Sequence, residues 1–273
     1  AAGAAEVEAE GEPGLLGRTR VIYDAEAIVA SREALKRQIA GTPLAAKEQK
    51  KALQDELNLA RHADCVIAVS ETEAETFRSA VTCDVVVVGH AVEPAPTTEP
   101  FDARRDVLFV GALDDDDSPN VDSLVWFVDR VMPLLDKMIG SSWRLRVAGT
   151  NKSKLARRLA GPRVELIGLV DDLRPLYGGS RLFIAPTRVA ARLPEKTHEA
   201  AAAGLPMATS RLIAQQLSWT NGRELMAADD PREFALACAN LYEDPQVWEK
   251  MRVAALRRIE MECSSQLFGE RIA

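Results

Sequence analysis

Short apolar runs alternate with amphipathic stretches along most of this chain, and the alternation is most regular in its second half. The runs VLFVG (107–111), RLRVAG (144–149), VELIG (164–168), LFIAP (182–186), PMATS (206–210) and ELMAA (224–228) read as strands. Helical spacing fills the intervals near 119–138, 152–160, 172–178 and 194–203, then continues near 231–243, 245–261 and 264–271. The strand runs are apolar throughout instead of alternating with polar residues, which is the pattern of a parallel sheet covered on both faces. Strands separated by helices in this order predict a doubly wound α/β domain, whose ligands bind beyond the carboxyl ends of the strands.

The first half carries a shorter version of the same pattern. TRVIYDAEAIVA reads as a strand entering a helix, and PLAAKEQKKALQDELNLARHA is helical, with Leu53, Leu57 and Ala60 on one stripe. CVIAVS and DVVVVGH read as buried strands on either side of the helix SETEAETFRSA, where Ser70 and Glu73 have the spacing of a capping box. Five segments follow: an acidic, flexible linker (1–17), a partial N-terminal α/β domain (18–92), a proline-rich linker (93–105), a C-terminal domain (106–263) and a last helix (264–273). The opening AAGAAEVEAEGEPG lacks aromatic residues and does not begin with Met, so the chain is expected to be part of something longer or processed.

Composition narrows the function classes. A net charge of −7 leaves no general basic footprint for nucleic acid or an anionic membrane. No run approaches a membrane span, and no secretory signal pattern is present. Cys65, Cys83, Cys238 and Cys263 form no C-x-x-C pair and read as free thiols, which suits the cytoplasm. With His62, His90 and His198 as the only histidines, no Cys/His cluster suggests a metal, and none is expected.

Several stretches can carry chemistry, and each also has a plain structural reading. In LPEKTHEAAAAGLP (193–206) a helix follows a strand, with Lys196 and Glu199 on one face and Gly204 placed to end it. Its amino end and Lys196 suit a phosphate, and Glu199 a ribose diol; spacing alone favours a solvated ion pair on an ordinary helix. In APTRVAAR (185–192), Arg188 or Arg192 can clamp a phosphate or lie on the surface. In GALDDDDSPN (111–120), Gly111 ends a strand, and Asp114–Asp117 read as a solvated turn before a helix started by Ser118 or Asp117. His90, after the last strand of the first block, is a candidate catalytic base by position alone. Trp126 or Phe127 and Trp248 read as core anchors, while Trp219 is left open.

Taken in order, LFVGALDDDDSPNVDSLVWFVDRVMPLL, LRVAGT, VELIGLVDDLRPLYGGSRLFIAPTR, PEKTHEAAAAGLPMATS and ELMAADDPREFALACANLYEDPQVW resemble the donor domain of GT-B glycosyltransferases of the group 1 (family 4) type. VIYDAEA, ADCVIAVSETEAETFR and VVVVGHAV resemble the later part of the acceptor domain of the same enzymes. The resemblance implies an α/β, GT-B-like fold of two Rossmann-like doubly wound domains, the N-terminal one incomplete. It implies transfer of a sugar, usually with retention and without a metal or other cofactor, from a nucleotide-diphosphate sugar to a sugar, lipid or protein acceptor. Residue by residue it implies Glu199 at the ribose, Lys196 with Thr197 and their helix end at the diphosphate, Arg188 or Arg192 as added positive charge, and Gly111 beneath the phosphates.

Departures from the family pattern qualify this. Ala191 stands where a glutamate commonly approaches the donor sugar, and Asp114–Asp117 replace basic residues after the first glycine loop. The first block is short for a whole acceptor domain, so an upstream segment or a partner chain is expected to complete it, with an exposed edge near residues 18–30. A non-catalytic nucleotide-sugar binding or scaffold module and a nucleotide-sugar epimerase are the competing readings.

Overall fold

The structure, a computed structural model, describes residues 19–25, 27–39, 41–189 and 195–272. The segment 1–17 and residues Ala191, Arg192, Leu193 and Pro194 therefore lie outside the described residues. The described residues divide into two units, one within residues 19–90 and 266–272, the other within 91–189 and 195–265.

In the first unit, β1 (Ile22–Ala25), β2 (Cys65–Ala68) and β3 (Asp84–Val87) form a parallel sheet in the order β1-β2-β3. Helices α1 (Val29–Ile39) and α2 (Ala46–Leu59) lie between β1 and β2, and α3 (Glu71–Arg78) between β2 and β3. Leu57, Ala60, Val66, Ala68, Ala74 and Phe77 form the buried core. The expected capping box is half realised. The Ser70 hydroxyl accepts from the Glu73 N–H at 3.3 Å, but the Glu73 carboxylate turns instead to the Ile28 N–H at 3.2 Å. Glu56 accepts from Val29 and Ala30 at 2.7 Å each, so two acidic side chains serve the positive end of α1, whose own first turn has no acid. Burial holds the Glu73 carboxyl above its ordinary range, against the lowering effect of the Ile28 N–H, and Glu56 adds to the rise.

In the second unit six parallel strands lie in the order β6-β5-β4-β7-β8-β9. They are β4 (Asp106–Val110), β5 (Leu145–Ala148), β6 (Val164–Gly168), β7 (Ser180–Ala185), β8 (Met207–Thr209) and β9 (Met226–Ala227). The chain runs from β4 out to one edge, returns to β7, and runs out to the other. The sheet thus reverses direction between β4 and β7, the place where such sheets open a crevice at their carboxyl ends. Successive residues feed opposite faces. Val107, Phe109, Leu182 and Ile184 join Leu124, Phe127 and Phe234 in one core layer. Leu108, Phe183 and Ala185 join Ala200, Ala201, Leu205 and Ile259 in the other.

The helices of this unit are α4 (Pro119–Trp126), α5 (Met132–Ile139), α6 (Lys154–Leu159), α7 (Arg174–Gly179), α8 (Glu195–Ala202), α9 (Arg211–Leu217), α10 (Pro231–Glu243) and α11 (Pro245–Glu262). A final helix, α12 (Ser265–Ile272), falls with the first unit from Gln266 onward. The sequence suggests one helix over 119–138; the structure has a π turn at Phe127–Val131 between α4 and α5. Pro133 explains the break, because it has no N–H for the Asp129 carbonyl and its ring crowds that oxygen. Helix α8 ends in a Schellman motif: Leu205 N–H bonds Ala200 O and Gly204 N–H bonds Ala201 O, both at 2.9 Å, with Gly204 at φ +69°. Among the described residues no helix is long and apolar enough to cross a membrane.

The segment 93–105, read as a linker, runs along this second unit as a strap. Ala95 and Thr97 donate to the carbonyls of Ala202 and Ala203 at 2.8 and 3.0 Å. Arg104, with no exposed surface, anchors it: the guanidinium bonds Glu99 O at 2.9 Å, Tyr177 O at 2.7 Å, Ser180 O at 3.2 Å and Thr97 Oγ1 at 2.7 Å. It also lies 5.0 Å over the Trp248 ring. Burial, then the neighbouring Arg252, pushes Arg104 down to about 10, still charged at neutral pH. Arg104→Met removes a donor from the buried carbonyls of Tyr177 and Ser180 and from the part-buried carbonyl of Glu99, and is expected to cost about 3 kcal/mol. All four tryptophans, Trp126, Trp143, Trp219 and Trp248, belong to this unit, so urea unfolding followed by tryptophan fluorescence reads that loss directly. A loss below about 1 kcal/mol would contradict the assigned role of Arg104.

Candidate functional site

The carboxyl ends of β4, β5 and β7 meet at the reversal point. After β4 the chain turns at Gly111, whose N–H bonds Ala148 O at 2.9 Å. After β5 it turns at Gly149, held at φ +132°, where a Cβ would stand 2.2 Å from the Gly111 carbonyl oxygen. Two glycine turns from neighbouring strands are thus in backbone contact. Gly111 in turn backs onto Asn120, whose Cγ would lie 2.9 Å from a Cβ at position 111.

Helix α4 starts beside these turns. Ser118 caps it, accepting from Val121 N–H at 3.3 Å, and Pro119 fills the first turn. Asn120 donates from Nδ2 to Ala112 O at 3.0 Å. Its Oδ1 accepts from the Lys196 ammonium at 2.7 Å. Lys196 reaches this point from the first turn of α8, and its Nζ lies 5.0 Å over the Phe109 ring.

Part of Lys196 stays exposed, yet its ammonium is enclosed, and burial pushes it down to about 8. Among the described residues no carboxylate neutralises it. A cation desolvated and left without a counter-charge is costly to keep. The amino end of α8 adds positive potential at the same place.

Glu199, one turn along α8 and partly exposed, stands 3.5 Å from the Tyr177 hydroxyl, at the outer limit of a hydrogen bond. Burial and then Glu199 raise the Tyr177 phenol, which stays neutral. The Thr187 hydroxyl, at the carboxyl end of β7, is 5% exposed and has no hydrogen-bond partner among the described residues. Thr197 is fully buried. His198 is buried with its ring 5.8 Å from that of Trp219, and the Trp219 Nε1–H bonds Glu262 at 3.1 Å, so Trp219 joins the core.

Arg188 differs from the expectation of a free phosphate clamp. Its guanidinium forms a two-point pair with Asp122 of α4, Nε to Oδ2 at 3.0 Å with a second bond from NH2 to Oδ1. The reason is local: α4 packs its first acid against the loop that leaves β7, so the arginine is already neutralised. Arg192 lies outside the described residues. His90 is in the first unit, three residues beyond β3 and partly exposed.

The acidic run is engaged elsewhere. Asp116 accepts from Ser153 Oγ at 2.6 Å and from Leu155 N–H at 3.1 Å, which brings a carboxylate to the amino end of α6 and holds it below its ordinary range. Asp114 pairs with Lys152 at 3.3 Å.

This arrangement can be set beside known proteins. Residues 104–244, more than half of the chain, match the family described as Glycosyl transferases group 1. The chain belongs to this family. No curated protein matches its sequence. Among solved structures, this group 1 glycosyl transferase chain is similar to a sucrose-phosphate synthase from Thermosynechococcus elongatus, with TM-score 0.69 and 16% identity over 92% of this chain and 65% of that one. It is similar to Anabaena Alr3699/HepE in complex with UDP and glucose, with TM-score 0.65 and 15% identity over 93% and 70% of the two chains. It is also similar to a mutant of S. aureus TarM in complex with Fondaparinux, alpha-GlcNAc-glycerol and UDP, with TM-score 0.65 and 11% identity over 85% and 46%. At these identities the likeness shows the fold, which is α/β and GT-B-like. The chain spans about half to two thirds of the length of the TarM and sucrose-phosphate synthase chains.

Within this glycosyl transferase fold, three residues beside the β4–β7 reversal point carry structure that the sequence reading did not single out: Asn120, Asp122 and Gly149. The Pro-Asn step after a capping serine and the Ala-Gly-Thr at the end of a strand were the available signals. Neither says which distant group the residue meets.

Proposed function

We propose that this chain carries the donor-binding part of a glycosyltransferase and that its crevice between β4 and β7 holds a nucleotide-diphosphate sugar. The observation that carries the reading is Lys196: a buried ammonium without a counter-charge among the described residues, at the amino end of a helix, where a sheet of this topology binds ligands. A diphosphate supplies the missing negative charge. Glu199, on the same face one turn later, would accept from a ribose hydroxyl, and Thr187, just past the carboxyl end of β7, would offer a hydroxyl that has no partner among the described residues.

In the reaction the bond from the sugar C1 to the diphosphate oxygen breaks while an acceptor hydroxyl oxygen bonds C1, and the hydroxyl proton passes to the departing diphosphate oxygen. Negative charge grows on the departing diphosphate, and Lys196 with the α8 end stabilises it. With Asp114 and Asp116 committed to Lys152 and the α6 amino end, the proposal assigns the charge stabilisation to Lys196 and to no metal. Retention at C1, an acceptor that is a sugar, lipid or protein, and a cytoplasmic setting are parts of the same proposal. The match to the group 1 family and the UDP named with the structurally similar TarM and HepE support it.

Calorimetric titration with UDP, GDP and ADP tests the site. Selective binding is expected, weakened at least about tenfold by Glu199→Ala, since a lost charge-assisted hydrogen bond is worth about 1.5–3 kcal/mol. Equal binding by Glu199→Ala and the unaltered chain would remove Glu199 from the site.

A further inference from the structure

One side chain ties together the two loops that meet at the crevice. Asn120 uses both ends of a planar amide: Nδ2 donates to Ala112 O at 3.0 Å, and Oδ1 accepts from Lys196 Nζ at 2.7 Å. The Gly111–Ala112 turn and the Lys196 ammonium are therefore fixed relative to one another. An amide oxygen is a neutral acceptor, so it directs the ammonium without cancelling its charge. A carboxylate at this place would cancel the charge, and an apolar side chain would leave its direction unset.

We infer that Asn120 is a positioning residue of the donor site, which aims the Lys196 ammonium at the diphosphate and keeps it uncancelled. The inference rests on the donor-site reading above. It goes further in assigning the orientation of the Lys196 ammonium to a residue on another helix, α4.

Among the described residues, the charged groups on the elements packed near Lys196 face solvent or bond elsewhere. On α8, Glu195 is exposed and Glu199 faces Tyr177, while His198 packs on Trp219. On α4, Asp122 is bound to Arg188. From α11, Arg252 bonds Gly204 O and Thr97 O at 3.0 and 2.8 Å. From β4 the contact is the Phe109 ring. A change at position 120 is therefore read directly in the titration of Lys196.

The experiment compares Asn120→Asp and Asn120→Ala with the unaltered chain. The Lys196 titration is followed by NMR of its side chain, and binding of UDP, GDP and ADP by calorimetry. Asn120→Asp is expected to move the Lys196 midpoint up by at least about one pH unit, because an opposite charge favours the ammonium, and to weaken binding at least about tenfold. Asn120→Ala is expected to weaken binding about tenfold with the charge retained. Asn120→Ser, which keeps a neutral acceptor and should bind between these and the unaltered chain, serves if either variant does not fold.

A merely structural role would lower the thermal midpoint and leave the Lys196 titration in place. The inference is overturned if Asn120→Asp leaves the Lys196 midpoint unchanged, or if both variants bind within about twofold of the unaltered chain. If the unaltered chain binds none of the three nucleotides, the donor reading fails, and the titration alone decides whether Asn120 sets the state of Lys196. If it binds them and Lys196→Met abolishes binding while the Asn120 variants do not differ, the donor reading stands and this inference falls.

Discussion

Replacing Lys196 with methionine is expected to stabilise the protein and to abolish nucleoside-diphosphate binding. The two effects have one cause. Folding encloses the ammonium, which meets Asn120 Oδ1 and the Phe109 ring among the described residues, and lowers its pKa from 10.5 to about 8. That fall corresponds to at most about 3 kcal/mol of lost stability, and less in practice because part of the residue stays exposed. Methionine has a similar length, fills the same channel and carries no charge to desolvate. The sign can be followed with pH. The folded state binds fewer protons than the unfolded state between about pH 8 and the unfolded value of 10.5, so the penalty is fully present below pH 8 and is relieved as pH rises towards 10.5. The variant should therefore be more stable than the unaltered chain at pH 7, with the gap closing above pH 8. Thermal unfolding at both ends of this range checks it. Loss of nucleotide binding should exceed about a hundredfold, as for removal of a buried charged contact. A variant less stable at pH 7 would mean that the lysine is an ordinary structural ion.

Gly149→Ala is expected to be among the most damaging single changes in the second unit. Alanine there adds a Cβ 2.2 Å from the Gly111 carbonyl oxygen, at φ +132°, where a side chain is strained whatever the space. Both partners are backbone, so no rotamer change relieves the contact, and either β4 or β5 must shift at its carboxyl end. A loss of about 3 kcal/mol or more is expected in urea unfolding followed by tryptophan fluorescence. The Gly111 turn would move with it, and with that turn the Asn120 and Lys196 pair. Gly161→Ala is the control, since nothing lies within 4 Å of a Cβ there, and it should change stability by less than about 0.5 kcal/mol. Equal effects at the two positions would show that the contact between the glycine turns does not constrain the fold.

The order of strands and helices was legible because buried parallel strands are apolar throughout and each is bracketed by a turn or cap. Gly204 was readable as a helix end because only its backbone freedom was at issue. The sheet order, and with it the crevice between β4 and β7, follows from connection rules and not from any local pattern. Helix α9 was missed because Ser210 closes a strand run and also caps the helix, accepting from Ile213 N–H at 3.4 Å. The interruption at Phe127–Val131 was missed because Pro133 sits within an otherwise helical apolar pattern.

At the site, spacing brought Lys196 and Glu199 to one helical face, since they are a single turn apart. It could not show that Lys196 meets Asn120 across a separation of 76 residues, or that Arg188 is taken by Asp122 across 66. The same limit applies to the acidic run: nothing in its local sequence shows that Asp116 reaches Ser153 at the amino end of α6. Charges in sequence are local, whereas their partners are set by the sheet order.

The central claim is that the Lys196 ammonium is the charge that receives the diphosphate. The most direct measurement is titration of the chain with UDP, GDP and ADP near pH 8.5, in two buffers of different ionisation enthalpy. At that pH the terminal phosphate of the nucleotide is already ionised, so it takes up no proton. The account predicts binding of at least one of the three with uptake of a substantial fraction of a proton, because an anion beside Lys196 raises its pKa from about 8. Lys196→Met should show neither. Binding without proton uptake, or binding retained in Lys196→Met, would contradict the account and place the diphosphate elsewhere.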